Sequence, residues 1–311
     1  SVKLLDDLAR AGQDVRATRA LALHRRAAFA ARSDPARARR LCEQSVALYR
    51  ALGAHWEWEL ANALHLLGTV VWDQADYAYA AQCQEKSLAI HRALGDRRGM
   101  AGPLVHMGAI ALFQGKLEGE RQVREAIALY QALDDWVSMA HSCYMASMAL
   151  LPLGAFKEAH ALLDENRAVI RATGGRLDVP DVLQSGVKVH LGRYREGRAQ
   201  AEWGLGQSRQ VGDALNSGFA LIVLGWEAII RAAYAEAQAC FRESVDLCRS
   251  VGHQDILSWA LAFLGYADQA LGQLDQARHH LGQAARMALE MDSFAGLVFT
   301  LSGVALLRTN A

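Results

Sequence analysis

The residues of this chain best suited to chemistry stand singly. Gln114-Gly115-Lys116-Leu117 has the Gly-Lys of a phosphate loop, but no hydroxyl residue follows the lysine and the Gly-x-x-x-x-Gly-Lys-Ser/Thr spacing is missing. Gly192-Arg193-Tyr194-Arg195-Glu196-Gly197 follows no strand pattern and lacks dinucleotide-loop spacing. His279-His280 carries two metal-ligating rings, yet neighbours on a helix point about 100° apart and no third ligand follows at helical spacing. Glu85, Glu125, Glu165 and Glu243 fall on polar helix faces without the pairing that acid–base catalysis needs. No Ser/His/Asp or Cys/His grouping is visible. The expectation is a non-enzyme with no catalytic residue, no metal and no cofactor.

The totals agree with an ordinary water-soluble chain: 311 residues, 52% hydrophobic and 21% charged, with 33 basic residues balancing 33 acidic ones. Zero net charge gives no reason to expect direct nucleic-acid binding. Residues 1–53 are locally basic, with Lys3 and ten arginines against five acids, which reads as a solvated arginine-rich helix surface. Cys42, Cys83, Cys143, Cys240 and Cys248 are odd in number and form no Cys-x-x-Cys pair, as expected of reduced, buried thiols in a cytoplasmic protein. No apolar run reaches the roughly 18 residues of a membrane span, and no signal-peptide pattern opens the chain.

Four prolines, abundant Ala and Leu, and few Val, Ile or Thr runs predict helices throughout. Their punctuation repeats. Helix-ending glycines fall at Gly12, Gly53, Gly95, Gly174, Gly212 and Gly252, with Asp134 filling the gap, all about 40 residues apart, and Asp just beyond several of them can cap the next helix. A second series, Gly68, Gly108, Ser147, Ser185, Gly225, Gly265 and Gly303, is uniformly small, so that two helices can approach closely. A turn follows each, as in Ala75-Asp76-Tyr77, Gly154-Ala155-Phe156 and Ala232-Ala233-Tyr234. Three residues later comes another small residue: Ala80, Ala159, Gly197, Ala237 or Ala277.

This pattern resembles the tetratricopeptide repeat, whose helix-turn-helix unit carries small residues at these phases and an aromatic after the turn. The resemblance covers nearly the whole chain. It departs in unit length, about 40 residues against about 34, and in closing the second helix with Gly where the family often has Pro. Glu120 stands where a small residue should fall, and Ile127 is large for the next such position. The longer unit is similar to that of MalT-like transcriptional regulators and of polarity adaptors with Leu-Gly-Asp repeats. The implied fold is all-α, a right-handed superhelical solenoid running through residues 1–311 as about six full repeats plus terminal half-repeats. First helices are expected at about 57–73, 98–114, 137–152, 179–190, 215–230, 255–270 and 294–309. Their partners are expected at about 76–94, 116–133, 155–173, 193–211, 233–251 and 273–291.

In the family the first helix of each unit faces a concave groove, with ligand-contacting positions six and three residues before the central small residue and one, four and five after it. Carried over, that rule implies His65, Trp72, Phe113, Tyr144, Phe219, Trp226, Trp259 and Tyr266 as the binding wall, an aromatic surface with few arginines or lysines. Its implied partner is a protein, peptide or small-molecule effector of apolar character. By the resemblance, the chain is the sensor or interaction domain of a larger signalling or transcription-regulatory protein whose nucleotide- or DNA-binding domain lies outside it. The alternative is a stand-alone protein–protein scaffold. Residues 2–11 and 294–309 read as half-units, and Leu4, Leu5, Leu301, Val304 and Leu307 would leave apolar ends open to homo-oligomer formation. The fourth unit, with Gly174-Gly175, Pro180, Gln184 and Lys188, reads as a weakly packed hinge.

Overall fold

The computed structural model of the chain describes residues 15–31, 34–172 and 180–309. Among them are fifteen α-helices and no strand: α1 Arg16–Ala30, α2 Pro35–Leu52, α3 Glu57–Trp72, α4 Tyr77–Ala93, α5 Arg97–Phe113, α6 Gly119–Ala132, α7 Trp136–Leu150, α8 Phe156–Ala172, α9 Pro180–His190, α10 Tyr194–Gln210, α11 Ala214–Ile230, α12 Tyr234–Val251, α13 Gln254–Ala270, α14 Leu274–Glu290 and α15 Phe294–Thr309. This is the all-α helical-repeat architecture of tetratricopeptide type. None of the described helices is long and apolar enough to cross a membrane.

The punctuation works as its chemistry requires. Asp76, Asp96, Asp135 and Asp213 each accept the backbone N–H three residues on, at 3.3, 3.0, 3.2 and 3.0 Å, so one of the orphan donors of each following helix is satisfied. At the equivalent place before α13 stands a histidine: His253 Nδ1 accepts the Ile256 N–H at 3.4 Å. Gly252 closes α12 with φ of 71°, the left-handed conformation an L side chain resists. Where glycine is missing from this phase, Asp134 and Asp292 take it with φ of 53° and 51°, aspartate being among the side chains that tolerate it.

In four pairs the second helix ties itself to the first through a buried polar side chain. Ser45 Oγ donates to the Ala20 carbonyl at 2.9 Å, Ser87 Oγ to Ala61 at 2.7 Å, Asn166 Nδ2 to Ala140 at 2.7 Å and Ser244 Oγ to Gly218 at 2.8 Å. Helices therefore meet at carbonyl distance, which only small facing residues permit. A Cβ on Gly225 would lie 2.5 Å from the Phe241 ring.

The chain resolves into two compact units, residues 1–107 with 124–129 and residues 108–123 with 130–311; α5 and α6 run through both. In the first, α1 pairs with α2 and α3 with α4. The α1–α2 pair lies between Gly12 and Gly53, where no small-residue series announces it; its apolar stripe, including Ala20, Leu23, Ala27, Ala38, Leu41 and Val46, is buried beneath exposed Arg25, Arg26, Arg37 and Arg40. In the second unit α7 to α15 pack in sequence, and the unit closes on itself. Helix α15 meets the 3-10 turn Leu151–Leu153, a Cβ on Gly115 would lie 3.1 Å from the Phe294 ring, and Gln114 Nε2 donates to Asp292 at 3.4 Å.

Three expectations change. Helix α6 starts at Gly119, and it is Gly119, not residue 120, that takes the small position: its Cβ would fall 2.3 Å from the Gly108 carbonyl oxygen. The two small residues are thus eleven apart, one fewer than in the other pairs, although the connection 114–118 is longer than 191–193, 231–233 or 271–273; Leu117 is 64% exposed where Tyr77 is 2% exposed, and buried Ala126 removes the difficulty of Ile127. The fourth unit is not poorly filled, since Val182, Leu183, Val187 and Val189 are all buried. Gln184 is buried and satisfied, donating to Asp164 at 2.7 Å, and Lys188 lies 3.8 Å from the Glu196 carboxylate. Among the described residues α9 spans 11 residues against 17 in α11 and α13. Residues 2–12, Gly174-Gly175 and the side chains of Val304, Leu307 and Arg308 lie outside the described residues.

Candidate binding site

A cavity of about 290 Å³ lies within the second unit. Its wall is built from one face of successive first helices: Gly186, Val189 and His190 of α9; Phe219, Ile222, Val223 and Trp226 of α11; Trp259, Ala262, Phe263 and Tyr266 of α13. These recur at three- and four-residue steps, the stripe that a 3.6-residue helix lays on one side. Leu151, Gly154 and Phe156 from the α7–α8 turn, with Val298 and Phe299 of α15, complete it. Early and late residues share the wall because the unit closes on itself.

The rings form a continuous chain. Phe156 stacks on His190, centroids 4.4 Å apart and planes 5° from parallel, and His190 leads to Trp226 at 6.1 Å. Trp226 meets Phe263 at 5.2 Å and Tyr266 at 6.1 Å; Phe263 meets Phe299 at 4.9 Å, and Phe299 meets Trp259 edge-on at 5.6 Å. Behind the wall Phe241 stacks on Phe263 at 5.6 Å. Among the described residues no Lys, Arg, Asp or Glu lines the cavity. His190, packed on Phe156 on one side and open to solvent on the other, has its pKa lowered by partial burial, which favours the neutral imidazole.

Of the residues expected from sequence, Phe219, Trp226, Trp259 and Tyr266 come together on this wall. Phe113 does not line it, but is buried against Trp259, centroids 6.2 Å apart. Tyr144, in the same unit but off the cavity, has its hydroxyl pushed up to about 12 by burial and, secondarily, by the charge of Asp213. His65 and Trp72 belong to the first unit. There His65 Nδ1 pairs with Gln84 Oε1 at 2.8 Å and its ring meets His106 edge-on at 5.3 Å; burial lowers its pKa despite the Gln84 bond. Trp72, 9% exposed, packs edge-on against Tyr77 at 5.0 Å. Both are held within their own unit's packing.

Phe156, Phe263 and Phe299 are the aromatic wall residues that the positional rule leaves out. Phe263 was within reach, lying four residues after Trp259 and three before Tyr266 on the same helix face. Phe299 has no such signal, because α15 joins the wall only through closure of the unit. Among the described residues no group of three His, Cys, Asp or Glu side chains is placed to hold a metal ion.

No protein-family model matches the chain, and no curated protein matches it in sequence. Solved structures resemble it in fold. A Rap protein complexed with Competence and Sporulation Factor superposes with a TM-score of 0.70, 12% identical, covering 86% of this chain and 74% of its own. The apo form of RapI gives a TM-score of 0.63, also 12% identical, covering 88% of this chain and 97% of its own. At that identity the likeness is one of fold.

Proposed function

We propose that this chain is a non-catalytic helical-repeat interaction domain whose second unit receives an apolar effector in its aromatic cavity. The observation that carries this reading is a wall of rings and aliphatic side chains, without a charged group among the described residues, on α9, α11, α13 and α15 of the second unit. Such concave, mostly apolar sites with a few polar groups are where small ligands and anchoring side chains bind. Support from fold comes from the Rap protein, whose structure holds Competence and Sporulation Factor. Among its described residues the wall offers no Lys or Arg to an acidic peptide tail, which favours an uncharged guest.

The larger setting we propose is a sensor within a regulatory protein of the MalT-like kind, with catalysis or nucleic-acid contact carried by another domain. The full-length reading frame distinguishes this from a free-standing scaffold: a phosphate loop or helix-turn-helix elsewhere in it supports the sensor, and a chain of repeats alone supports the scaffold. The cavity itself is tested by Trp226→Ala. Trp226 is half-buried and touches three other rings, so its loss opens the wall while leaving the fully buried core in place. Binding of a neutral aromatic probe such as benzophenone should weaken by about 2 kcal/mol, the scale of an aromatic anchor. Unchanged affinity, with helicity intact by circular dichroism, would sink the assignment.

A further inference from the structure

Trp259 differs from the other rings of the cavity in its polar edge. The residue is 3% exposed, and its Nε1 is buried with no hydrogen-bond acceptor among the described residues. Buried donors almost always find a partner, because an unpaired one forfeits its hydration for nothing. Even the half-exposed Trp58 has one, donating to Asp96 at 2.9 Å. Nor can the Trp259 ring swing to search for an acceptor. Phe113 is stacked against it at 6.2 Å and 20°, and Phe299 stands edge-on at 5.6 Å and 74°.

The surroundings limit what could supply that acceptor. At about 290 Å³ the cavity lies at the small end of ligand sites, roughly 300 Å³ and upward. A carboxylate or phosphate brought in would lose its hydration and meet no cation, since no Lys or Arg lines the wall among the described residues. An ammonium would likewise meet no carboxylate among the described lining residues. A neutral carbonyl or ether oxygen on an apolar frame gives up little hydration and gains the indole N–H.

We infer that the effector is a neutral, mostly apolar small molecule carrying one uncharged acceptor oxygen, and that the Trp259 Nε1–H donates to that oxygen. The inference rests on the cavity being the effector site, and the test separates the two. Benzophenone and its methylene isostere, in which a CH2 group replaces the carbonyl oxygen, share one shape and differ only in the acceptor. Measured by equilibrium dialysis, the wild-type chain should bind benzophenone about fivefold more tightly than the isostere, although the isostere is the more apolar. Trp259→Phe keeps a ring in place, removes the N–H and should erase the difference. Trp226→Phe should keep it. Para-benzoylbenzoate, with its carboxylate, should bind at least about tenfold more weakly than benzophenone.

Equal affinities for the two isosteres, a preference that survives Trp259→Phe, or undiminished binding of the carboxylate would overturn the inference while leaving the cavity as an apolar site. If neither isostere binds, the cavity reading falls and the inference with it. Should Trp259→Phe fail to fold, the wild-type indole N–H resonance of Trp259 decides: it must move downfield with benzophenone and not with the isostere.

Discussion

At the scale of single residues, His253 joins local structure to pH. It occupies the capping position that Asp96, Asp135 and Asp213 fill in other repeats, and as a cap its Nδ1 must be unprotonated to accept the Ile256 N–H. Burial lowers its pKa from 6.5 to about 4, and a proton there would also set positive charge against the N-terminus of α13. With the folded pKa depressed, the unfolded chain takes the proton first. The stability that neutral His253 contributes is therefore present above about pH 6.5, is lost as pH falls toward 4, and is constant below. The loss is at most about 3 kcal/mol. His253→Asn keeps a capping acceptor without a titrating group, so denaturant unfolding at pH 5 and pH 7.5 should differ by less in the variant than in the wild type. Identical pH dependence in both would show that His253 is not the group responsible. Aspartate caps and their glycines are legible in sequence because capping is local chemistry within four residues. The unpaired indole of Trp259 is not, because it depends on neighbours 146 residues before and 40 residues after it, at Phe113 and Phe299.

At the scale of elements, the α5–α6 turn shows where counting phases fails. Every other small residue of a first helix stands twelve residues before its partner, as in Gly68 and Ala80 or Gly225 and Ala237, which places the partner of Gly108 at Glu120. The chain instead brings Gly119, eleven residues on, against the Gly108 carbonyl after a connection, 114–118, that leaves Leu117 exposed. Packing decides this, since two backbones can meet at that distance only through glycine, whereas one turn residue more or less costs little. Gly119→Ala should therefore destabilise the chain by about 1–3 kcal/mol, the usual range for forcing extra volume into a filled contact, and Glu120→Ala by clearly less. Thermal denaturation reads the difference, and the reverse order would restore the register counted from sequence. Helix positions elsewhere were legible to within a few residues, because apolar stripe, turn and cap agree with one another. The α1–α2 pair escaped because its stripe carries no small-residue series and is set among arginines that read as surface.

At the scale of the molecule, half of the cavity wall was legible: α11 and α13 carry their aromatics at fixed repeat positions, so Phe219, Trp226, Trp259 and Tyr266 could be placed on one side of the stack. The other half depends on closure of the second unit, which brings Phe156 and Phe299 to one cavity across 143 residues of chain that no local periodicity records. Helix α9 is the element of this wall with least to hold it. Its interior is as apolar as that of its neighbours, yet 11 residues leave only about seven amides beyond the first turn, where backbone donors have no intrahelical partner. In a stack whose stability is a sum of unit and interface terms, the shortest element opens at the lowest free energy. Amides of residues 184–190 should thus exchange faster than those of 218–230 when no ligand is present. Because Gly186, Val189 and His190 line the cavity, a guest there binds only while α9 is folded, and mass action must then raise the protection of this helix. Saturating benzophenone should slow exchange in 184–190 more than in the outer helix α12, whose residues do not line the cavity. Equal protection of α9 and α11 in the free protein would remove the case for α9 as the moving part, and slowing spread evenly over α9 and α12 would show that the guest stabilises the unit as a whole without engaging this helix.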